Sequence, residues 1–360
     1  MPSSRVGWRE ADLTRLWVEL SLENLPLARA ELAGALGALG AEGPTGASDP
    51  RSEGLVALGD LPEGWGEALA GRLALARRCL REIPARAPSD LLEAFRAAGR
   101  AGGSAAFRPV RGPRSVVRNG SLLGFARAFT EGGGTIDLQH PTRRFWFLPS
   151  EPTGWAGFEE VGAVDRRSFD ARRMPRLPFQ RPVSLPPRLG RVAANLARVR
   201  PGDRVVDPFV GTGALLLEAA LLGGRVTGVD RDPEMVRGAL RNFAHLSLPA
   251  DAFAVTDAAE ARPAEGGGLW DAVLTDPPYG RASGSGGEAP ADLVRRVLPR
   301  WADLVRPGGV VVTVVPGGED ALGPEWVRSV GVADRVHRSL TREFRVYQRR
   351  TEVAASAPGT

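Results

Sequence analysis

Lysine is absent from this chain of 360 residues, and other reactive residue types are scarce. All 47 basic residues are therefore arginine, and the sequence holds one cysteine and three histidines. A single cysteine, Cys79, excludes an internal disulfide and any metal site built from several thiolates. The histidines, His140, His245 and His337, are scattered along the chain. We therefore expect no metal site.

Long apolar runs are also missing. No stretch approaches the roughly 20 apolar residues that a membrane-spanning helix needs, and the first ten residues lack the pattern of a signal peptide. The hydrophobic content is 43% and the charged content 25%, which is typical of a globular protein. The length suits two domains, each with its own core. These features predict a cytoplasmic protein without a membrane segment.

Charge is distributed unevenly along the chain. Residues 76–181 contain 19 arginines against 10 acidic residues, a net charge of +9, whereas the whole chain carries +5. A basic middle region beside a near-neutral remainder is typical of a protein that binds a polyanion, and arginine offers phosphates a planar fork of donors. The alternative is a solvated surface in a protein that uses arginine throughout, and charge alone does not decide between them.

The first part of the chain predicts two small α+β regions and a connection. Residues 16–20 and 54–58 have the pattern of strands, with a helix ending near Leu39 between them, and we place this ferredoxin-like region at 1–85. Residues 86–150 predict helix, strand, helix, strand, strand, with eight arginines against two acids between Arg100 and Arg144. Residues 151–187 are predicted to be a linker, which includes a segment of arginines and prolines.

From residue 202 onward the pattern becomes regularly βαβ. Apolar runs at 204–207, 225–230, 252–257 and 271–276 predict strands, and helices are predicted between them. This alternation favours an α/β fold with a Rossmann-like parallel sheet over 188–350, followed by a tail at 351–360. An antiparallel pair of strands is expected within 332–348.

Four acids stand at the ends of the four successive predicted strands: Asp207, Asp230, Asp257 and Asp276. The carboxyl ends of parallel strands meet at one edge of a sheet, which is where open α/β sheets bind ligands. Any one of these acids could instead be a helix cap or a turn residue. Four of them in register predict a row of carboxylates in one binding site.

A glycine-rich loop follows the first of these strands. Gly211 and Gly213 permit close approach of a ligand to the backbone, but the third glycine of a dinucleotide fingerprint is replaced by Leu216. A pyrophosphate is therefore disfavoured and a nucleoside is favoured. With acids placed to meet a ribose and an adenine, the cofactor predicted is S-adenosylmethionine.

The segment 275–280, Thr-Asp-Pro-Pro-Tyr-Gly, follows the fourth strand. The exocyclic amine of a nucleobase is a weak nucleophile, because its lone pair is delocalised into the ring. Two acceptors, the Asp276 carboxylate and the Pro277 carbonyl, could draw that lone pair out of conjugation, and the ring of Tyr279 could stack on the base. The plainer alternative is a polyproline-type turn with a surface tyrosine.

These motifs carry a specific resemblance. Residues 202–350 resemble the class I S-adenosylmethionine-dependent methyltransferases that methylate amines and carry Asp-Pro-Pro-Tyr. The chain as a whole resembles the archaeal tRNA guanine-N2 methyltransferases that act at position 10, which join a ferredoxin-like and THUMP region to a Rossmann-like domain. The matching segments are 17–20, 106–111, 135–138, 181–189, 207–213 and 275–280.

The resemblance implies a role for each matching residue. Asp276, Pro277, Pro278 and Tyr279 would form the catalytic segment. The cofactor-binding residues would be Pro182, Asp207, Phe209, Gly211, Thr212, Gly213, Asp230 and Asp257. RNA binding is assigned to arginines of the basic middle, namely Arg108, Arg111, Arg114, Arg118, Arg143 and Arg144. The partner implied is tRNA, and the sequence leaves open whether a small activating protein is needed, as in some relatives. The glycine-rich stretch 281–288 could be a lid.

Two departures from the family pattern are small, namely Val210 where cysteine is common and Ala214 where a further glycine is common. Related enzymes acting on other tRNA or ribosomal guanines usually carry asparagine in place of Asp276, so Asp276 favours position 10. The alternatives are a DNA amino-methyltransferase, a guanine-N2 methyltransferase for another RNA position, and a non-catalytic RNA-binding adaptor. Whether one or two methyl groups are added stays open, as does the oligomeric state.

Overall fold

The computed structural model describes residues 13–41, 49, 52–110, 119–150, 154–182, 184–263, 268–278, 290–316, 323–338 and 340–351. The chain divides into two compact units. Unit 1 comprises residues 1–25, 42–71 and 76–164, and unit 2 comprises residues 26–41, 72–75 and 165–360. Each unit is built around its own seven-stranded sheet.

The described elements up to residue 163 are mostly those of unit 1. The strands are β1 (Leu13–Leu20), β2 (Leu55–Pro62), β3 (Ala76–Ile83), β4 (Ser104–Pro109), β5 (Thr135–Ile136), β6 (Arg143–Ser150) and β7 (Gly154–Ala163). The helices are α1 (Leu25–Leu39), α2 (Trp65–Arg72), α3 (Pro88–Arg100) and α4 (Asn119–Glu131). The strand order in this sheet is β2-β1-β3-β7-β6-β4-β5.

Aromatic packing forms much of the core of unit 1. Phe95 on α3 is fully buried and lies 5.0 Å from the ring of Phe145 on β6. Phe125 on α4 stacks on Phe147 at 4.8 Å with the rings nearly parallel. Close packing of the two helices is possible because Gly99 lies against the Phe129 carbonyl, where a Cβ would come within 2.1 Å. Helices α3 and α4 correspond to the two helices that the sequence predicts within 86–150.

Strand β7 overturns part of the predicted linker. Residues 154–163 were expected to be connecting structure, but they pair antiparallel with both β3 and β6. The two regions predicted at 1–85 and 86–150 therefore contribute strands to one sheet, with β7 between their strands. The segment was missed because its glycines and glutamates hide the alternation of a strand, even though one of its partners, β6, directly precedes it in the sequence.

Unit 2 contains the remaining elements. Its strands are β8 (Arg204–Asp207), β9 (Arg225–Asp230), β10 (Ala252–Val255), β11 (Trp270–Thr275), β12 (Val305–Pro316), β13 (Trp326–His337) and β14 (Leu340–Arg349). Its further helices are α5 (Arg166–Ala171), α6 (Pro187–Leu196), α7 (Ala214–Leu221), α8 (Pro233–His245) and α9 (Pro290–Ala302). The strand order is β10-β9-β8-β11-β12-β14-β13.

The sheet of unit 2 confirms the predicted Rossmann-like α/β fold. The first five strands in this order run parallel, and β14 is antiparallel to both β12 and β13. The central parallel strands are covered on both faces, so the residues in their middle are apolar. Val205, Val273 and Val311 illustrate this, since each is fully buried. The final antiparallel pair was predicted within 332–348, and it begins earlier, at Trp326.

Part of the N-terminal sequence belongs to unit 2. Glu31 on α1 is fully buried and accepts hydrogen bonds from the backbone N–H groups of Ala74 and Leu75, at 2.8 Å each. Its carboxylate also accepts from the side-chain amide of Asn195 on α6 at 2.9 Å. Burial raises the pKa of Glu31 despite these donors. The predicted boundary at residue 85 therefore does not separate the units, because α1 packs within unit 2.

The described residues offer neither a reactive thiol nor a cluster of metal ligands, and their helices are not suited to crossing a membrane. Cys79 on β3 is fully buried, and burial raises the pKa of its thiol to about 12, so the thiol is unreactive at neutral pH. The described residues contain no group of three or more histidine, cysteine or acidic side chains arranged to hold a metal ion. None of the described helices is both long and apolar enough to cross a membrane.

Candidate active site

The four acids predicted to form a row lie at the carboxyl ends of four neighbouring strands. Asp207 and Asp230 are the last residues of β8 and β9, and Asp276 directly follows β11. Asp257 comes two residues after β10. Since the strands are ordered β10-β9-β8-β11, the acids follow the sequence Asp257, Asp230, Asp207, Asp276 along one sheet edge.

Asp207 is the most deeply buried of the four. Its side chain is 2% exposed, and Oδ1 accepts a hydrogen bond from the backbone N–H of Phe209 at 3.0 Å. Burial raises the pKa of Asp207 well above its ordinary value, and the nearby charges of Asp276 and Asp230 raise it further. The Phe209 N–H and the Thr275 hydroxyl partly offset this rise. A carboxylate in this position favours a ligand that brings positive charge.

Asp230 shapes the loop that follows β8. One carboxylate oxygen accepts from the backbone N–H of Gly211 at 3.0 Å, and the other accepts from the backbone N–H of Asp232 at 3.0 Å. Asp232 in turn caps α8 by accepting from the Glu234 N–H. Burial raises the pKa of Asp230 in spite of its two donors. A ribose contact by this residue would therefore add to an existing structural role.

We define the glycine loop as residues 208–213. Gly211 and Gly213 have φ values of 50° and 85°, in the left-handed region that favours glycine. The Gly213 N–H donates to the Val210 carbonyl at 2.7 Å. Leu216, at the position of the missing third glycine, is fully buried in α7. The loop thus has the tight turn expected for a nucleoside ligand, without the third glycine of a pyrophosphate cradle.

Asp257 differs from the other three acids. Its Oδ1 accepts from the Ala259 N–H at 2.8 Å and from the guanidinium of Arg296 at 3.2 Å. The Ala259 N–H is the main reason that the pKa of Asp257 lies below its ordinary value, and Arg296 lowers it further. Asp257 therefore caps a short 3₁₀ turn, and its predicted contact with an adenine amine stays a prediction.

The predicted catalytic segment begins where β11 ends. Thr275 is buried in the sheet, Asp276 and Pro278 are half-buried, and Pro277 is buried. The strand stops here because consecutive prolines have no N–H groups to continue a ladder. Tyr279 and the predicted lid 281–288 lie outside the described residues. The structure therefore places the Asp276 and Pro277 part of the segment beside Asp207.

Other predicted cofactor residues surround the glycine loop. Phe209 is half-buried, and its ring meets Trp301 edge-on at 6.1 Å, so it packs on the core cluster beneath the loop. Pro182 is exposed in the segment before α6. Thr212 is 5% exposed, and its hydroxyl donates to the Ser184 hydroxyl at 3.0 Å. Ser184 was not among the predicted site residues, although it lies within the matching segment 181–189.

The predicted RNA-binding arginines of unit 1 differ in their engagement. Arg143 donates to Glu159 at 2.7 Å and to the Ala98 carbonyl at 3.2 Å, so its guanidinium is committed within the unit. Arg144 is 40% exposed and pairs loosely with Glu160, at 3.6 Å. Arg108 donates to the Leu138 carbonyl at 2.7 Å in an exposed setting.

The remaining three predicted arginines, Arg111, Arg114 and Arg118, lie outside the described residues. Arg108 and Arg144 are therefore the described residues of this set that are best placed to meet a phosphate.

The donor set fits S-adenosylmethionine. This molecule carries a sulfonium and an ammonium cation with a nucleoside and no phosphate. Carboxylates that raise one another's pKa, as Asp276 and Asp230 do for Asp207, are stabilised by a cationic ligand. The turn at Gly211 and Gly213 suits a nucleoside rather than a diphosphate. The residues present are thus compatible with the group that the sequence predicts.

Comparison with known proteins gives a consistent picture. Residues 175–323 match the model of the UPF0020 family, described as the RMKL-like methyltransferase domain. A tRNA (guanine(10)-N2)-dimethyltransferase of Methanothermobacter thermautotrophicus is 35% identical over 192 residues, which cover 52% of this chain and 56% of that protein. The enzyme of the same name from Pyrococcus abyssi is 34% identical, covering 54% of this chain and 59% of that protein. The chain therefore spans a little over half the length of these relatives.

Two further similarities are more distant. The tRNA (guanine(10)-N(2))-methyltransferase TRMT11 of Gallus gallus is 32% identical, over 43% of this chain and 40% of that protein. The crystal structure of TrmN from Thermus thermophilus covers 93% of this chain and 99% of that chain, with a TM-score of 0.48 and 22% identity. The curated relatives confirm the resemblance to guanine-N2 methyltransferases that the motifs indicated. A THUMP region stays a prediction.

Proposed function

We propose that this chain transfers a methyl group from S-adenosylmethionine to the exocyclic N2 amine of a guanosine in tRNA, at position 10. The observation that carries the proposal is the row of acids at the ends of β9, β8 and β11, with Asp276 and the Pro277 carbonyl at its end. The names of the curated relatives support the tRNA substrate and the position. We expect such an enzyme to act in the cytoplasm.

In this mechanism the chain binds the cofactor, orients the guanine amine and accepts the proton that the amine loses. The glycine loop and Asp230 would hold the nucleoside part of S-adenosylmethionine, and Asp207 would face its positive charge. When bound, S-adenosylmethionine supplies an electrophilic methyl group. Asp276 and the Pro277 carbonyl would accept hydrogen bonds from the guanine amine, which localises the nitrogen lone pair, and Asp276 would take the proton that the amine loses.

The target base must leave its stack to reach this edge of the sheet. We propose that Tyr279 then stacks on it, and that the arginines of unit 1 bind the tRNA backbone. Most of the remaining rate acceleration would come from alignment of amine and methyl group. In this arrangement the two units divide the work, since unit 1 binds RNA and unit 2 performs the transfer.

The test is nucleoside mass spectrometry on unmodified tRNA incubated with the protein and S-adenosylmethionine. We expect N2-methylguanosine mapped to position 10, and the ratio of the monomethyl to the dimethyl form settles the number of methyl groups added. Duplex DNA incubated in parallel should stay unmodified. Methylated adenine or cytosine in the DNA would contradict the proposal.

A result without methylated guanosine has two different meanings. If calorimetry shows that S-adenosylmethionine binds, the reaction needs a further component, such as a small activating protein, or a different RNA. Co-purification from the native host would then identify that component. If S-adenosylmethionine does not bind, the assignment of a methyltransferase site is wrong.

A further inference from the structure

Asn242 on α8 is a fully buried amide that the predicted site does not use. Its Oδ1 accepts from the Phe179 N–H at 3.0 Å, and its Nδ2 donates to the Phe179 carbonyl at 3.0 Å. The same Nδ2 donates to the Thr212 carbonyl at 3.0 Å. A side-chain amide with all these groups satisfied fixes the position of both backbone segments, because each bond is directional.

One of those segments precedes α6, and we name it the strap (residues 177–182 and 184–185). The Phe179 ring lies on Gly238, where a Cβ would come within 2.1 Å of the ring. Gly238 is four residues before Asn242, hence on the same face of α8. The guanidinium of Arg181 lies 4.6 Å from the centre of the Phe179 ring, and Arg181 pairs with Glu234 at 2.7 Å. The strap is thus docked along one face of α8.

The other segment is the glycine loop. Asn242 holds the carbonyl of Thr212, the residue between Gly211 and Gly213. In a trans peptide the C=O and the following N–H point in opposite directions. Fixing the Thr212 carbonyl therefore also fixes the Gly213 N–H, which donates to the Val210 carbonyl at 2.7 Å. Because the Thr212 hydroxyl donates to Ser184 of the strap, the loop is held from two sides.

We propose that Asn242 is a positioning residue for cofactor binding. Its amide joins the glycine loop and the strap into one preformed surface that receives S-adenosylmethionine. This inference rests on the proposed function, since it names a residue that supports the same site. Asn242 does not itself touch the cofactor or the target base, so its loss should affect the affinity for the cofactor more than the rate of transfer.

The decisive variant is Asn242→Asp, which keeps the size and one acceptor but removes both N–H donors, and even a protonated carboxyl could donate to only one of the two carbonyls. We expect the Kd for S-adenosylmethionine, measured by calorimetry without tRNA, to rise about tenfold or more. At saturating cofactor, kcat and the KM for tRNA should stay within about threefold of wild type. The matched control is Arg237→Gln, an exposed residue of the same helix, which should leave all these values unchanged.

Hydrogen exchange supplies a readout that needs no ligand. In Asn242→Asp, deuterium uptake of a peptide covering 208–214 should be faster than in wild type and in Arg237→Gln. A folded Asn242→Asp variant with unchanged uptake would overturn the inference, because the glycine loop would then be held without the amide. If wild type bound no S-adenosylmethionine, the proposed function would fail, whereas unchanged exchange in the variant would be the failure of this inference.

A second set of variants tests the same connection without removing a buried amide. Thr212→Val removes the hydroxyl bonded to Ser184, and Ser184→Ala removes its partner. Each should weaken cofactor binding by up to about fivefold. The double variant should bind the cofactor as tightly as either single variant does. Thr212→Ser should bind it as tightly as wild type. Additive losses, or none, would contradict the view that loop and strap act as one surface.

Discussion

Glu159 of unit 1 and Asp207 of unit 2 are two acids in opposite electrostatic surroundings. In unit 1, Glu159 lies between Arg81 and Arg143, with N–O distances of 2.5 and 2.7 Å. Burial alone would raise its pKa, but these arginines outweigh burial and the pKa lies below its ordinary value. In unit 2, Asp207 is buried beside further acids, and its pKa lies well above the ordinary value. The arginines stabilise the charged form of Glu159, whereas the charged form of Asp207 is destabilised and would be stabilised by a cationic ligand.

The largest effect should come from Asp276→Ala. Because Asp276 would orient the amine and accept its proton, we expect methyl transfer to fall about a thousandfold or more. Affinity for tRNA should stay within about twofold, since binding would reside in the arginines of unit 1. Single-turnover transfer and filter binding measure the two quantities. Equal losses of methyl transfer and of tRNA affinity would contradict the assignment of transfer to unit 2 and of tRNA binding to unit 1.

Glu31→Ala tests where unit 2 begins. The change leaves the backbone N–H groups of Ala74 and Leu75 and the Asn195 amide without their acceptor, so we expect the free energy of unfolding to fall by about 3 kcal/mol. Chemical denaturation measures the change in the free energy of unfolding. Hydrogen exchange should increase in α6 and stay unchanged in β6. Faster exchange in β6 instead would place α1 with unit 1.

Glu159→Gln removes the charge from the paired acid of unit 1. We expect the free energy of unfolding at neutral pH to fall by about 2 kcal/mol, because charged hydrogen bonds are lost. A lowered pKa means that this stability is present above the ordinary value, 4.5, and is lost as pH falls through the folded-state value. The difference from wild type should therefore shrink in acid, as thermal unfolding across pH would show. Methyl transfer should be unaffected.

Asp207→Asn makes the same chemical change in unit 2 with the opposite result. Its raised pKa means that stability is full below the ordinary value, 3.8, and is lost as pH rises through the folded-state value. We expect the amide to raise the free energy of unfolding at neutral pH by about 1 kcal/mol, while cofactor affinity falls. The gain should vanish near pH 4 and below. A loss of stability at neutral pH would show that neighbouring groups already offset the free-energy cost of the charge on Asp207.

The smallest effect concerns Arg108. Replacing it with glutamine should weaken tRNA binding by only about threefold, and it should reduce the slope of log Kd against log salt by about 1. Filter binding over a range of salt concentrations measures this. Arg143→Gln is the comparison. The guanidinium of Arg143 is already bound by Glu159 and Ala98, so its removal should leave the slope unchanged. An unchanged slope for Arg108→Gln would place the RNA elsewhere.

The sequence was most informative where structure depends on local pattern. Valine-rich runs separated by amphipathic helices are sufficient to identify the parallel sheet, and the position of each acid at a strand end follows from the same runs. The glycine loop was recognisable because Gly211 and Gly213 need left-handed backbone that few other residues adopt. These features are set by neighbours within a few residues.

The features that were missed depend on partners distant in the sequence. The amide of Asn242 meets Phe179, which is 63 residues away, and Glu31 meets Asn195, which is 164 residues away. A polar residue in a helix gives no sign in one sequence of whether it is buried and satisfied or exposed. The one available signal was the position of Asn242 on the same face of α8 as Gly238. Asp257 likewise has a contact that its position in the sequence did not indicate, since its Oδ1 accepts from Arg296, which is 39 residues away.

The burial of Cys79 has a practical consequence for fluorescence labelling. Its thiol is fully buried with a pKa of about 12, so maleimide dyes should react with it very slowly. A cysteine introduced at an exposed position, such as Ser89→Cys on α3, would then be the one fast-reacting thiol, and the native Cys79 would not have to be replaced. Amine-reactive dyes would meet no lysine side chain. The native chain is therefore already a suitable background for attaching a single dye to unit 1 and following tRNA binding by its emission.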